Sequence, residues 1–318
     1  MPILRLTPAG KDYLWGGTRL RDEYRKPLTL TPLAETWECS VHPDGLSMVA
    51  CGAFAGQSLR DVLSAHPEYL GRAVPDGQMP LLVKLIDAQQ ALAVQVHPKD
   101  DFARRVEHDR GKTEMWYVMD AEPGAKLVYG FHQQMTAQQV RQAVRTDTLD
   151  ACLQQLSVHP GDVFYVPAGL VHGIGAGILV AEIQESSNVT YRVYDYDRTD
   201  KNGQKRELHV EKALQVMQLS PTRGTLGAKH PVLARKGYTR QLLCRCRYFT
   251  TERICVQTAF PLRITQRAFQ VLLCLKGEAR VWAGGECVQM RKGECLFLSA
   301  GLGQVQVEGE TVFLRITV

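Results

Sequence analysis

The segment HPGDVFYVPAGLVHGIG, residues 159–175, constrains the fold more than any other stretch of the chain. Val163-Phe164-Tyr165-Val166 is an apolar and aromatic run of strand length. Pro160-Gly161-Asp162 closes it on one side and Pro167-Ala168-Gly169 on the other. A helix cannot run through those breaks, so the segment reads as a short strand between tight turns that ends by delivering His172. Upstream, KLIDAQQALAVQVHPKDD places Gln95 and His97 two apart in a β-branched run. A strand alternates faces with period two, so both side chains point the same way. Glu114 then precedes Met115-Trp116-Tyr117-Val118, a further strand.

Two imidazoles, a carboxylate and an amide oxygen, each on or beside a strand, are a donor set for one divalent metal. Singly they say less. His97 alone reads as a hydrogen-bonded structural histidine, and Glu114 alone as a solvated charge at a strand start. Gln95 is harder to dismiss, because a buried amide needs partners at both ends. The other histidines (His42, His66, His108, His132, His209 and the pre-proline His159) sit in turns or polar contexts and read as surface residues.

With 318 residues, 45% apolar and 22% charged, the chain is long enough for two domains with a sizeable core. A formal charge of +5 suits an anionic small molecule, and no basic block with interleaved aromatics points to nucleic acid. Nine scattered cysteines without CxxC pairs, no secretory leader and no membrane-length apolar run lead us to expect a cytoplasmic protein with reduced thiols.

Residues 1 to about 51 read as strands and turns. A helix follows from the Ser58 cap. Residues 78 to 96 read as two strands around the turn at 87–90. Thr136 and Gln139 form a capping box, and Val140, Val144, Leu149, Leu153 and Leu156 then keep roughly helical spacing. We therefore expect a helical insert over about 132–157. A short helix near 211–217 precedes a Pro- and Gly-rich linker at 220–227. The expected fold is mainly β: two cupin-like, jelly-roll β-barrels. The first, over 1–225, carries the insert and the ligands. The second and smaller, over 226–318, has turns at Lys276-Gly277, Gly284-Gly285 and Lys292-Gly293, and lacks histidine after His230.

The turn spacing before His172 resembles the second cupin motif. Gln-x-His with Glu114 resembles the first, Gln95 standing where a histidine is usual. A closer resemblance joins Lys84, Gln95-Val96-His97-Pro98, Gly111-Lys112-Thr113-Glu114-Met115-Trp116-Tyr117, Pro167-Ala168-Gly169 with His172, and Tyr191-Arg192-Val193-Tyr194-Asp195-Tyr196-Asp197-Arg198. Together with Ala34-Glu35-Thr36-Trp37-Glu38 and Gly203-Gln204-Lys205-Arg206-Glu207-Leu208, these resemble the type I mannose-6-phosphate isomerases, in the short form of Gram-positive bacteria. The resemblance implies one zinc ion per chain on Gln95, His97, Glu114 and His172. It implies a substrate pocket lined by Lys84, Lys112 and Arg192, with Lys112 and Arg192 taking part in catalysis. The implied reaction interconverts mannose 6-phosphate and fructose 6-phosphate through a cis-enediol, in a monomer or weak dimer with no membrane or nucleic-acid partner. Two positions depart from the family: Gly111 stands where larger members carry a histidine, and Asn188 where many carry an aspartate. An asparagine cannot serve as the proton-transferring base.

Residue chemistry agrees with that implication. An aldose–ketose isomerase needs an electrophile on the sugar oxygens, a base near two adjacent carbons and a phosphate anchor. Lys84 lies between Leu82-Val83 and Leu85-Ile86, where burial demands an anionic partner, a phosphate or a carboxylate. Arg192 offers a planar fork suited to phosphate, Asp195 and Asp197 are expected to orient it, and Arg198 to pair with an aspartate at the surface. Two alternatives compete. Two histidines and a carboxylate also suit an iron oxygenase, and a non-catalytic sugar-phosphate sensor fits the same barrel.

Overall fold

The computed structural model describes residues 1–74, 76–199, 203–222 and 230–318. It is mainly β, with three sheets and few helices. A six-stranded sheet runs in the order Val163–Val166, Glu114–Ala121, Ile178–Glu185, Leu81–Ala88, Glu35–Cys39, Ala9–Lys11. A five-stranded sheet runs Tyr191–Tyr194, Val94–Val96, His172–Gly173, Lys126–Phe131, Leu153–Ser157. An eleven-stranded sheet takes in the strands from Val232 to Thr317 together with Ile3–Thr7 and Met48–Val49.

The six-stranded sheet is covered on both faces, and the period-two rule sorts its residues. Leu81, Val83, Leu85, Met115, Tyr117, Leu179, Ala181 and Ile183 share one core with Phe269, Leu273, Phe297 and Leu314 of the C-terminal strands. The alternate residues Ile86, Trp116, Val118 and Val180 turn the other way, against Leu127, Tyr129 and Ile174 of the five-stranded sheet. That sheet is sorted too. Val94, Val96, Val171, Tyr191 and Val193 face outward beneath Val140, Ala143, Ala213 and Met217. Gln95 and His97 are left on the inner side.

Local signals explain two helix starts. The Ser58 hydroxyl accepts from the Asp61 N–H at 3.0 Å and opens Leu59–Ala65. The Thr136–Gln139 capping box forms and opens Ala137–Arg145. That helix is shorter than its apolar spacing predicts. Asp147 takes a positive φ of 56°, Leu149–Cys152 is a 3-10 turn, and Leu153–Ser157 is a strand pairing with Lys126–Phe131. Leu149 and Leu153 are buried in the same outer cluster, so their spacing records shared burial rather than one helix. A second difference lies at Lys276-Gly277, expected as a turn. The strand Gln270–Ala283 runs through it with a register shift between Cys274 and Lys276. Gly277 sits at φ 74°, and a Cβ there would lie 2.2 Å from the Glu310 carbonyl. Glycine therefore makes a bulge, not a reversal. The turns at Gly284-Gly285 and Lys292-Gly293 form as expected. The helix Asp100–Val106 has no counterpart in the sequence reading.

Candidate metal centre

Two rows of side chains face each other between the five- and six-stranded sheets. Across the six-stranded sheet, Trp37 pairs with Lys84, Lys84 with Glu182, and Glu182 with Trp116. Across the five-stranded sheet, Arg192 pairs with Gln95, Gln95 with His172, and His172 with Tyr129. Residues far apart in sequence thus meet because strand alternation aims them into one gap.

His97, Glu114 and His172 are buried, and one ligand atom from each lies within 4.8 Å of the others. The His97 Nδ1 lies 2.7 Å from the Val189 carbonyl, and the His172 Nδ1 lies 2.8 Å from the Leu170 carbonyl. A carbonyl only accepts, so each ring carries its proton on Nδ1 and turns the Nε2 lone pair inward. Those two Nε2 atoms stand 3.2 Å apart. Glu114 Oε1 is buried without a hydrogen-bond partner, 3.4 Å from His172 Nε2. Gln95 brings its amide Nε2 within 3.4 Å of His172 Nε2, and a half turn of the amide presents its oxygen there instead. Facing lone pairs beside an orphaned carboxylate oxygen are costly alone, and a cation that all of them ligate removes that cost. The residues fit a divalent metal.

Electrostatics point the same way. Burial, then the Lys112 ammonium, holds His97 well below its ordinary pKa and brings His172 to about 3, so both rings are neutral donors at pH 7. Burial, then Glu182, raises Glu114 to about 7. Lys112 Nζ contacts Glu114 Oε2 and lies 3.0 Å from His97 Nε2. Lys84 Nζ lies 3.5 Å from Glu35 and from Glu182, and 4.7 Å from the centre of the Trp37 ring. Burial opposes its charge, but Glu35 and then Glu182 outweigh burial and raise its pKa. Two buried ammoniums therefore face three buried carboxylates, Glu35, Glu114 and Glu182. With all three ionised one negative charge is in surplus, and a divalent ion reverses it.

Sequence reasoning missed Glu35 and Glu182. Trp37 Nε1 donates to Glu35 at 2.8 Å, and Trp116 Nε1 to Glu182 at 2.9 Å. The signal was there: an acid inside Ile178–Glu185, a strand buried throughout, carries the same demand for a partner as Lys84. The anion beside Lys84 is this pair of carboxylates.

Lys84, Gln95, Lys112, Glu182, Asn188 and Arg192 line one cavity of about 270 Å³. Arg192 stands one strand from Gln95, and its Nη1 donates to the Glu207 carbonyl at 2.7 Å. Asp195 does not hold Arg192: it is buried and accepts from Arg198 and Arg206. Asn188 donates to Asp44 Oδ2 at 2.7 Å. Gly111 admits no side chain, since a Cβ would lie 2.5 Å from the Asp100 backbone nitrogen. A larger cleft of about 1050 Å³ opens elsewhere, lined by His42, Arg60, Met79, Asp109 and Arg110, and holds none of the expected ligands. Among the described residues, His97, Glu114 and His172 are the one such group of His, Cys, Asp or Glu side chains.

The fold and donor set define a cupin-type protein with a centre suited to a metal. The type I phosphomannose isomerase catalytic domain matches residues 3–125, and the mannose-6-phosphate isomerase cupin domain matches residues 239–318. The chain is 37% identical to the probable mannose-6-phosphate isomerase GmuF of Bacillus subtilis, over 98% of each chain. It is 36% identical to the mannose-6-phosphate isomerase of Streptococcus mutans, over 93% of this chain and 92% of that one. The crystal structure of mannose 6-phosphate isomerase from Bacillus subtilis superposes with a TM-score of 0.90 and 29% identity, covering all of both chains. The chain belongs to the type I phosphomannose isomerase family, enzymes of the aldose–ketose isomerase class.

Proposed function

We propose that the chain interconverts mannose 6-phosphate and fructose 6-phosphate through a cis-enediol, with one zinc ion held by Gln95, His97, Glu114 and His172. The observation that carries this is the pair of inward Nε2 atoms 3.2 Å apart beside the orphaned Glu114 oxygen, in a cavity shared with two lysines. Nitrogen and oxygen donors with one carboxylate suit zinc. Bound there, zinc supplies a Lewis acid toward the sugar oxygens.

The remaining chemistry belongs to the side chains. Glu182 lies outside the proposed ligand set. Burial opposes its ionisation, but Lys112 and then Lys84 lower its pKa, and the Trp116 N–H fixes its orientation. It is the base the geometry favours for moving a proton between adjacent carbons. Lys112 holds or donates a proton at a sugar oxygen, and Lys84 orients hydroxyls. Trp15, Leu92 and Ile174 line the same cavity and limit water.

A cytoplasmic setting is part of this reading. All nine cysteines are free, and no described helix is long and apolar enough to cross a membrane. We read the enzyme as a monomer or weak dimer, which sedimentation tests directly.

The deciding experiment is a coupled isomerisation assay on purified protein, before and after chelation and on adding back zinc. We expect turnover that disappears with the metal and returns with zinc. Binding of mannose 6-phosphate without turnover identifies a sensor instead, and oxygen uptake with added iron an oxygenase. Within the site, Lys112→Ala should lower turnover about a hundredfold with zinc retained. Near-unchanged turnover removes the role assigned to Lys112.

A further inference from the structure

Charge in the cavity falls into two zones. Beside the metal ligands, Lys84 and Lys112 are each matched by carboxylates. Farther along the same cavity stand Arg192 and Arg206. Arg206 makes a two-pronged contact with the buried Asp195, Nε to Oδ2 at 2.7 Å and Nη2 to Oδ1 at 2.5 Å. Arg198 also bonds Asp195 and reaches the Ala91 carbonyl. Arg192 has no carboxylate contact: its Nη1 meets a backbone carbonyl, and its Nε is buried without a hydrogen-bond partner. Among the described residues, Arg198 and Arg206 thus share one buried carboxylate, and Arg192 contacts none. The buried charges of this cluster are positive in sum, the sign that a phosphate monoester dianion answers.

Guanidiniums do not shed this surplus by losing protons at any ordinary pH. Burial, and then the neighbouring Arg206, pulls Arg192 below its usual range, so the charged form is under strain until an anion arrives. Register supplies the span. Arg192 is paired with Gln95 and Gln95 with His172, so Arg192 lies one strand from Gln95 and roughly 10 Å, two strand spacings, from His172. That is the reach of an extended six-carbon sugar phosphate with its carbonyl end at the donors.

The geometry points to Arg206, clamped by Asp195, as a specificity-determining residue that anchors the substrate's phosphoryl group together with Arg192, leaving Lys84 to the sugar hydroxyls. This rests on the isomerase reading above. Asp195 acts only through the arginine and is a positioning residue. The dianion accepts from the free edges of the two guanidiniums, and the forked grip on Asp195 keeps Arg206 from swinging into solvent.

The test uses zinc-loaded full-length protein, with inorganic phosphate as the probe. For Arg206→Gln we expect KM for mannose 6-phosphate to rise about 30-fold with kcat within threefold. Inorganic phosphate should weaken as a competitor by the same factor, while zinc content and thermal midpoint hold. Arg206→Lys should recover part of the loss, since charge returns without the fork. Lys84→Gln should lower kcat yet leave phosphate binding unchanged. The inference is overturned if Arg206→Gln leaves KM and phosphate competition unchanged, if it lowers kcat and zinc content together, or if phosphate binding follows Lys84. Calorimetry with inorganic phosphate keeps this separate from the isomerase reading. Should wild type fail to turn over mannose 6-phosphate, loss of phosphate binding in Arg206→Gln still supports the anchor, and retained binding still sinks it.

Discussion

Glu182 and Glu185 sit three residues apart on one strand, on opposite faces of the six-stranded sheet, and both are buried. Glu182 faces the cavity, where Lys112 and Lys84 outweigh burial and lower its pKa. Glu185 has the parity of Ala181 and Ile183, on the side shared with the C-terminal strands. There burial wins and lifts it to about 7, despite a 2.8 Å hydrogen bond from the Thr113 N–H. Depth in the protein is similar. The neighbours differ, two ammoniums against the acidic Asp100, so burial prevails at Glu185 and is outweighed at Glu182. The lesson extends to the two β-units. One side of the shared sheet tolerates a dense set of charges because they answer one another. In the C-terminal unit Ile254, Phe260, Leu272, Val281, Leu296 and Phe313 pack into one apolar cluster.

This contrast can be broken most severely at Glu182. Glu182→Gln removes the proposed base and half of the match to two buried lysines, and turnover should fall about a thousandfold. Steady-state kinetics beside metal analysis checks it, and a loss below tenfold with zinc in place means the base lies elsewhere. On the shared face, Phe297→Ala should cost about 3–5 kcal/mol of stability, because Phe297 is fully buried and stacks on Phe269 at 5.0 Å between ring centres. Denaturant titration measures that, and zinc stoichiometry should not change. A drop in zinc content at constant fold would mean that the two faces are not independent.

The smallest effect concerns Glu185 and pH. Its folded pKa of about 7 lies above the ordinary 4.5, so folding takes up a proton. The stabilisation is complete below about pH 4.5 and is lost as pH rises through 7, in total about 3 kcal/mol. In Glu185→Gln that dependence should vanish, leaving a flatter stability profile between pH 5 and 8. An unchanged slope in the variant would assign the titration to another group.

How much was legible follows from the same physics. Gln95-Val96-His97 could be read because alternation within three residues is local information, and the Pro-Ala-Gly turn before His172 needs no partner to be recognised. Glu182 was overlooked although an acid in a buried strand raises the same question as Lys84. The answer, that the two pair with each other across adjacent strands, depends on register between residues almost a hundred positions apart. Leu149 and Leu153 mimicked a helix because burial against one cluster imposes spacing without imposing conformation. Asp195 was assigned to Arg192 by proximity in sequence, whereas the structure gives it Arg206 and Arg198.

The eleven-stranded sheet ties together segments that lie far apart in the chain. Ile3–Thr7 is hydrogen-bonded to Cys295–Leu298 on one side and to Met48–Val49 on the other, so a strand that precedes the metal-centre residues takes its place in a sheet built mostly of strands that follow them. Without the later strands, the edge of Ile3–Thr7 that meets Cys295–Leu298 is bare, and a bare edge is open to mispairing. Excising the C-terminal unit to obtain a minimal enzyme would strip cover from the six-stranded sheet as well as orphan the opening strand, so the two halves stand or fall as one cooperative body.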